Sequence, residues 1–518
     1  MNNINSNFVI LSDFIPDAKM SIKEVLLPPG SEDDTKVVMR DLEAVLPSVE
    51  NDEEELCEGP LSSAEKGRKI SSITELTQEE LGDTLSSGTD EDGEMFQDAR
   101  DKVSPCSSNS DTEWRDQDKH LFVLSEAGKP IYTLHGDEDI MVSLFGVMQA
   151  LVSYVADSGD SIRSIRTSDT TIVFLNKPSL ILVAVSRTGL SAQQLTVQLT
   201  YMYNQILSVL TLTQLTRIFE QRRNYDLRRM ISGSERLMHH LSASMDTDPS
   251  FFLSSVRCLE LAPAVRDVVS ESLIRYCGKM KNVVFGIVVA GNQLITLVRM
   301  KKYCIHPADL HLLFNLINAT ESFKDSESWT PICLPKFDSS GFLHSHVSYI
   351  SQDVCLMLIT VDRNAFFELS AARGKIQERL EKHNVMTAIS DALISCKYNC
   401  VVIELPEIRH FLYKSRTSAQ YTEPVPAACY RAPEEMKRLF SIFLSIQNRF
   451  HTASRPVKLC YRATALELVL GWSTQAFELY AVFSPTYSKL SVLTAVNKLL
   501  RWVKKEEEKL FILTAPTF

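Results

Sequence analysis

From residue 119 onward the apolar positions fall into short runs, each bounded by turn-forming residues. The first run is Leu121, Phe122, Val123 and Leu124. It meets the turn Glu126-Ala127-Gly128-Lys129 and then Pro130, Ile131 and Tyr132, a strand, a tight turn and a second strand. A helix of roughly 137–156 follows, then strand-like runs at Ser161–Thr167, Thr170–Asn176 and Ser179–Ser186. A long helix is predicted from Ser191, a good N-cap, to Glu220. The order is β-β-α-β-β-β-α. Residues 222–280 read as a helical linker with a basic run broken at Gly233.

The order then recurs. Strands are predicted at Val283–Ala290 and Gln293–Met300, and a helix at Pro307–Thr320. Further strands are predicted at Thr330–Lys336, Phe342–Ile350 and Val354–Val361, and a helix at Ala365–His383. A third, less regular pass pairs strands Cys400–Leu405 and Arg409–Lys414. It continues with a helix at Pro433–His451, strands at Val457–Arg462 and Phe477–Phe483, and a last helix at Ser488–Glu508. Each unit mixes a short antiparallel sheet with covering helices, which is α+β architecture. The units are 119–221, 281–396 and 397–518, and they repeat an architecture with little shared wording.

Charge divides the chain at the same point. Residues 1–118 hold 29 Asp/Glu and 10 Lys/Arg, a balance of −19, whereas the remaining 400 hold 36 and 44, a balance of +8. Acidic runs such as Asp52-Glu53-Glu54-Glu55, with Ser and Gly spacers, bury too little apolar surface to offset chain entropy. Residues 1–118 therefore read as a disordered acidic regulatory tail. It is a solubilising segment, a mask over a basic surface, or a segment tuned by phosphorylation. Ser107, Ser108 and Ser110 would each add roughly −2 if modified.

The start of the chain has no basic region followed by an apolar one, so no signal peptide is expected. The eleven cysteines lack a framework of short spacings and suit a reducing compartment. Cys396 and Cys400 are four apart without a second Cys/His pair, and His344 and His346 share a strand face without a third ligand. The two histidines read as surface residues, and no metal site or cofactor is expected. The longest uncharged stretch, Ile140 to Ala156, has 17 residues, the lower limit for a bilayer span. Ser143, Gln149, Ser153 and Tyr154 within it favour a buried helix. Phosphate-loop, nucleophile-elbow, zinc-protease and dinucleotide motifs are all absent, and so is an aromatic-interleaved basic patch, so neither an enzyme nor a nucleic-acid binder is expected.

The order β-β-α-β-β-β-α is that of the longin fold, and three units in one chain resemble the tri-longin subunits of Rab exchange factors. Several stretches are similar to the Mon subunits of the Mon–Ccz vacuolar fusion complex. They are HLFVLSEAGKPIY at 120–132, NYDLRRMISGSER at 224–236, HPADLHLLFNLI at 306–317, WTPICLPKF at 329–337, IRHFLYKS at 408–415 and VNKLLRWVKKEEEKLFILT at 496–514. The resemblance implies a peripheral complex on late endosomes, lysosomes or the vacuole. Paired with a Ccz subunit as an obligate heterodimer, it promotes GDP release from the Rab-seven GTPase, in answer to active Rab-five and phosphoinositide lipids. Conversion of Rab-five to Rab-seven, vacuole fusion and autophagosome clearance would follow. A third regulatory subunit stays open. The rival reading is a longin-type adaptor that tethers without opening a GTPase.

Exchange makes no covalent bond. A thousandfold acceleration asks for roughly 4 kcal/mol of differential binding. The helix 137–156 is the candidate surface, because a helix apolar on nearly every face should be buried on a second side. Its expected contacts are Met141, Leu144, Phe145, Met148 and Leu151, with Gly146 allowing close backbone approach. Asp137, Glu138 and Asp139 either draw a switch lysine from its phosphates or simply favour the helix N-terminus. The basic doublets Arg222/Arg223, Arg228/Arg229, Lys301/Lys302 and Lys504/Lys505 are candidates for facing an anionic membrane, or are solvated faces.

Overall fold

The computed structural model describes residues 117–136, 141–395, 398–452 and 455–518. The acidic tail up to Asp116 and the residues Asp137, Glu138, Asp139 and Cys396 lie outside the described residues.

The first unit comprises β1 (Lys119–Ser125), β2 (Pro130–Thr133), α1 (Val142–Asp157), β3 (Ser164–Arg166), β4 (Thr171–Lys177), β5 (Leu180–Ser186) and α2 (Ala192–Val209). Its antiparallel sheet runs β2-β1-β5-β4-β3. Gly128, at φ +78°, makes the β1–β2 turn, and its N–H donates to Ser125 O at 2.9 Å. Alternation along the central strands splits the core. Phe122, Leu124, Phe174 and Val183 meet α1, while Leu121, Val123, Leu182 and Ala184 lie in one cluster with Leu195, Leu199 and Met202 of α2. Ser191 caps α2 in a capping box with Gln194. The single helix expected to Glu220 is instead two. Leu210 leaves the helix, and the Thr211 hydroxyl accepts from Gln214 N at 3.2 Å to start α3 (Leu212–Gln221).

The connecting segment continues with α4 (Arg228–Ile231), α5 (Glu235–Thr247), α6 (Pro249–Leu253), β6 (Val256–Arg257) and α7 (Pro263–Cys277). It is thus more than a helical linker, because β6 adds a parallel strand to the third unit's sheet.

The second unit comprises β7 (Val283–Ala290), β8 (Gln293–Arg299), α8 (Pro307–Ala319), β9 (Ser328–Leu334), β10 (Asp338–Tyr349), β11 (Val354–Thr360), α9 (Phe366–Lys382) and the unexpected α10 (Val385–Ser395), with sheet order β8-β7-β11-β10-β9. The third comprises β12 (Ile408–Ser415), β13 (Gln420–Thr422), α11 (Pro433–His451), β14 (Leu459–Ala463), β15 (Leu468–Ser473), β16 (Phe477–Phe483), α12 (Lys489–Lys505) and α13 (Glu507–Leu510). Its sheet runs β14-β15-β16-β12-β13-β6. Read by position within each unit, all three sheets share one order, second-first-fifth-fourth-third, so the repeat is topological.

Two expectations in the third unit fail. Cys400–Leu405 is a run of turns: Ile403 N bonds Asn399 O at 3.3 Å, Leu405 N bonds Cys400 O at 2.8 Å, and Glu404 has φ +60°. The hairpin partner of β12 is β13, and β15 was not foreseen. In β15, Gly471 leaves the space taken by Ile446 and Phe450 of α11.

Polar contacts tie the units together. Asn315 of α8 donates to Gln205 Oε1 of α2 at 2.8 Å, and His240 of α5 meets Asn315 Oδ1 at 2.7 Å. The guanidinium of Arg266 in α7 donates to the carbonyls of Leu259, Glu508, Lys509 and Phe511. At the chain's end, Phe518 N donates to Arg299 O at 3.1 Å along the edge of β8. No helix among the described residues is long and apolar enough to cross a membrane.

Candidate functional site

Helix α1 carries no charged residue from Val142 to Ala156, and its faces have different fates. Phe145 and Met148 are buried on the sheet, and the Phe122 and Phe145 rings meet edge-on with centroids 5.5 Å apart. Met141, at the N-cap, is also in that core. Leu144 and Val152 are half-buried beside it. The opposite face is open: Val142 is 53% exposed, Val147 58%, Leu151 39% and Tyr154 75%. Gly146 and Ala150 are exposed among them, and a Cβ at Gly146 would meet nothing within 4 Å. Val147, Leu151 and Tyr154 follow the i, i+4, i+7 spacing of one helical stripe. The helix is therefore not enclosed within its own unit. Edge strand β3, with Ile165 packed against the α1 core, lies beside it.

The expected contact set is redistributed by this geometry. Gly146 and Leu151 face outward and Leu144 lies at the margin, but Met141, Phe145 and Met148 point into the chain's own sheet and cannot offer their side chains to a partner. Val142, Val147, Ala150 and Tyr154 belong to the open face instead. Helical phasing from a buried Phe145 would have found them, since 147, 151 and 154 lie away from the 141–145–148–152 stripe. Asp137, Glu138 and Asp139 precede the helix in the segment that is not described.

Firm packing fixes the scaffold beneath the helix. Lys119, only 7% exposed, is paired with Asp246 of α5 at 2.5 Å, which locks β1 to the connecting segment. Burial holds His120, on the same strand, below its ordinary pKa, and nearby His135 and Arg187 add to this.

The basic doublets are spread over the connecting segment, the second unit and the third unit. Arg222, Arg223 and Arg229 are exposed around the end of α3 and the start of α4, whereas Arg228 is engaged by Asp226, Nε to Oδ1 at 3.1 Å. Lys301 and Lys302 are exposed after β8, with Lys302 4.7 Å from the centroid of the Tyr303 ring. Lys504, on α12, pairs with Glu507 at 2.7 Å, and Lys505 is exposed. His344 and His346 are not a surface pair. His346 is fully buried with Nε2 2.9 Å from Glu327 Oε2, and burial lowers its pKa against the pull of that carboxylate. His344 stacks on Trp329 at 5.6 Å. No group of three metal-ligating side chains exists among the described residues.

Comparison with known proteins places this geometry. Residues 119–241 match the model of the "First Longin domain of FUZ, MON1 and HPS1", 281–378 that of the second and 407–507 that of the third. The chain is 48% identical over 407 residues to the "Vacuolar fusion protein MON1 homolog A" of Bos taurus, covering 78% of this chain and 73% of that one. It is 46% identical over 422 residues to "Protein SAND" of Takifugu rubripes, covering 81% and 80%. It is 39% identical over 430 residues to the "Vacuolar fusion protein MON1 homolog B" of Homo sapiens, covering 79% and 78%.

Proposed function

Because the chain belongs to the MON1 family of vacuolar fusion proteins built from three longin domains, we propose that it is the Mon subunit of a heteromeric exchange factor for the Rab-seven GTPase. It works as an obligate heterodimer with a Ccz subunit, without covalent chemistry or a cofactor. The observation that carries this reading is the uncovered apolar face of α1, with Val142, Val147, Leu151 and Tyr154 in water. A charge-free stripe of this kind suits burial against another protein, here the first longin unit of Ccz and the GTPase switches. A GTPase whose switches pack there only when open loses nucleotide faster, because coupling between the two ligands is reciprocal. About 4 kcal/mol of preference gives a thousandfold acceleration.

The complex acts at the cytoplasmic face of late endosomes, lysosomes or the vacuole. Active Rab-five and anionic phosphoinositide membrane recruit it there, and the +8 balance of residues 119–518 supports the attraction to lipid. The rival reading, a longin adaptor that tethers only, uses the same face without opening a GTPase. Release of a fluorescent GDP from Rab-seven separates the two, followed with the chain alone and with Ccz. Acceleration by the heterodimer, lost with Val147→Asp, is the expected result. Release at the intrinsic rate in both preparations would leave the adaptor.

A further inference from the structure

Strand β14 forms one end of the third unit's sheet, and among the described residues it pairs with β15 alone. We propose that its outer edge receives an extended peptide strand from a partner protein, one in which acidic and apolar residues alternate.

The register of the β14–β15 ladder fixes which backbone groups are free. Ser473 N donates to Lys458 O at 2.7 Å at one end of the ladder, and Thr464 N donates to Glu467 O at 2.9 Å at the other. The pairing between them has no register shift, so Lys458, Cys460, Arg462 and Thr464 turn their backbone groups towards β15. Leu459, Tyr461 and Ala463 turn theirs outward. The edges of β13 and β8 are closed by comparison. β6 lies beside β13, and on β8 Leu294 O accepts from Leu259 N at 2.9 Å while Arg299 N donates to Pro516 O at 3.1 Å. An uncovered row of N–H and C=O groups is the template that strand addition uses.

The two faces of this edge differ in chemistry, and the difference sets the partner. Cys460 lies in the core beneath α11, so Lys458 and Arg462, two residues to either side, share that face. Both are exposed and form no ion pair among the described residues. Glu467 is the only carboxylate between residues 452 and 477, and it is buried against Arg438 and Tyr430. Leu459 and Tyr461 lie on the opposite face. The ring of Tyr461 is half-buried, with Lys489 Nζ of α12 5.7 Å from its centroid, and Leu490, the next residue, is 75% exposed. A strand beside β14 therefore meets bases on one face and apolar surface on the other, which a period-two alternation of acidic and apolar residues matches. A second copy of the chain does not fit. Two β14 edges paired antiparallel would set four bases, Lys458 and Arg462 of each, on one face.

The edge is on the third unit, whereas the open face of α1 is on the first, and neither exchange nor a GTPase enters the test. The full chain is titrated with a fluorescein-labelled heptapeptide alternating Glu and Val, followed by anisotropy. Binding is expected, and a peptide of the same composition with its Glu and Val in blocks should not bind. Methylating the amide nitrogens of all Val residues should abolish binding if the strands run antiparallel, and of all Glu residues if they run parallel. Lys458→Glu/Arg462→Glu should weaken binding about tenfold, the effect of two exposed charge contacts, and admit a peptide alternating Lys and Val instead. Ala463→Pro removes an outward N–H without touching the ladder to β15 and should abolish binding, whereas Ala463→Val should keep it. The proposal is overturned if the alternating acidic peptide does not bind, or if the block peptide, both methylated peptides or the Ala463→Pro variant bind as well as the parent pair. A dimer of the full chain that Ala463→Pro dissociates would give the edge to a second copy. Carbodiimide cross-links from Lys458 to carboxylates of residues 1–116 of the same chain would give it to the acidic tail. Either result overturns the proposal.

Discussion

Tyr201, on the long helix of the first unit, donates its hydroxyl hydrogen to Nδ1 of His311 in the second unit across 2.9 Å, and both side chains are buried. The other ring nitrogen of His311 lies 3.0 Å from the Ser255 carbonyl, which can only accept. The imidazole is therefore neutral with its proton on Nε2, and one ring joins the first unit, the connecting segment and the second unit.

This arrangement predicts a pH dependence. Burial pushes His311 down to about 4 and His410 down to about 3, from an ordinary 6.5. Below pH 6.5 the unfolded chain takes up protons that the folded chain refuses, so stability falls with pH by about 1.4 kcal/mol per unit for each ring until its folded pKa is reached. Asp309 opposes this in part, because burial raises it to about 6. Urea unfolding midpoints should drop from pH 7.5 to pH 5. His311→Gln should flatten the slope while costing about 1–3 kcal/mol at pH 7.5, because buried partners are left unpaired. A slope unchanged in that variant would contradict the assignment.

The two faces of α1 should separate stability from docking. Phe145→Ala removes a fully buried ring and should cost about 3–5 kcal/mol in chemical denaturation. Tyr154→Ala, on a residue 75% exposed, should change stability by less than about 0.5 kcal/mol yet weaken association with Ccz or the GTPase. Equal binding by the parent and Tyr154→Ala in surface plasmon resonance would remove this face from the interface.

Glu478, on β16, is buried and gathers Arg416 at 2.9 Å, His451 at 3.4 Å and Lys414 at 3.6 Å, and it accepts from Tyr480 Oη at 3.0 Å. Burial alone would raise its pKa, but His451, Lys414 and Arg416 overcome that and hold it down to about 2. Its stabilisation is present above pH 4.5 and lost as pH falls towards 2. Glu478→Ala leaves three bases around an empty place and should cost about 3–5 kcal/mol. Calorimetric melting of the variant at pH 7 against the parent measures this.

Gly471→Ala puts a methyl group where Ile446 and Phe450 of α11 already stand. A cost of about 1–3 kcal/mol is expected from overpacking, and pairing it with Ile446→Ala should recover part of the loss. Additive destabilisation in the double variant would show that the helix does not press on that strand.

Where periodicity was strong, the elements were legible. Pro433–His451 and Phe477–Phe483 match to the residue, and the central strands β1, β5 and β4 of the first unit and β7 and β11 of the second to within two, whereas β10 begins four residues before its expected start. The misreadings share a cause. Cys400–Leu405 has the β-branched wording of a strand, but Asn399 Oδ1 accepts from Val402 N at 2.8 Å, and the run closes on itself as turns beside Pro406. β6, two residues long, exists only because β13, more than 160 positions away, lies beside it. Such pairings depend on a partner brought near by the rest of the fold, and local wording carries no record of it.

The amino-acid sequence alone determined the boundary near residue 119, the class, the β-β-α-β-β-β-α order of the first two units with a less regular third, and the family resemblance. Hydrophobic period and turn chemistry act over a few residues and survive without neighbours. Only the tertiary structure decided which side of α1 is core, which arginine of 222–229 is already engaged, and that β6 completes a distant sheet. Each of these turns on which atoms exclude water from one another, and that is settled when the sheet, the helices and the connecting segment come together.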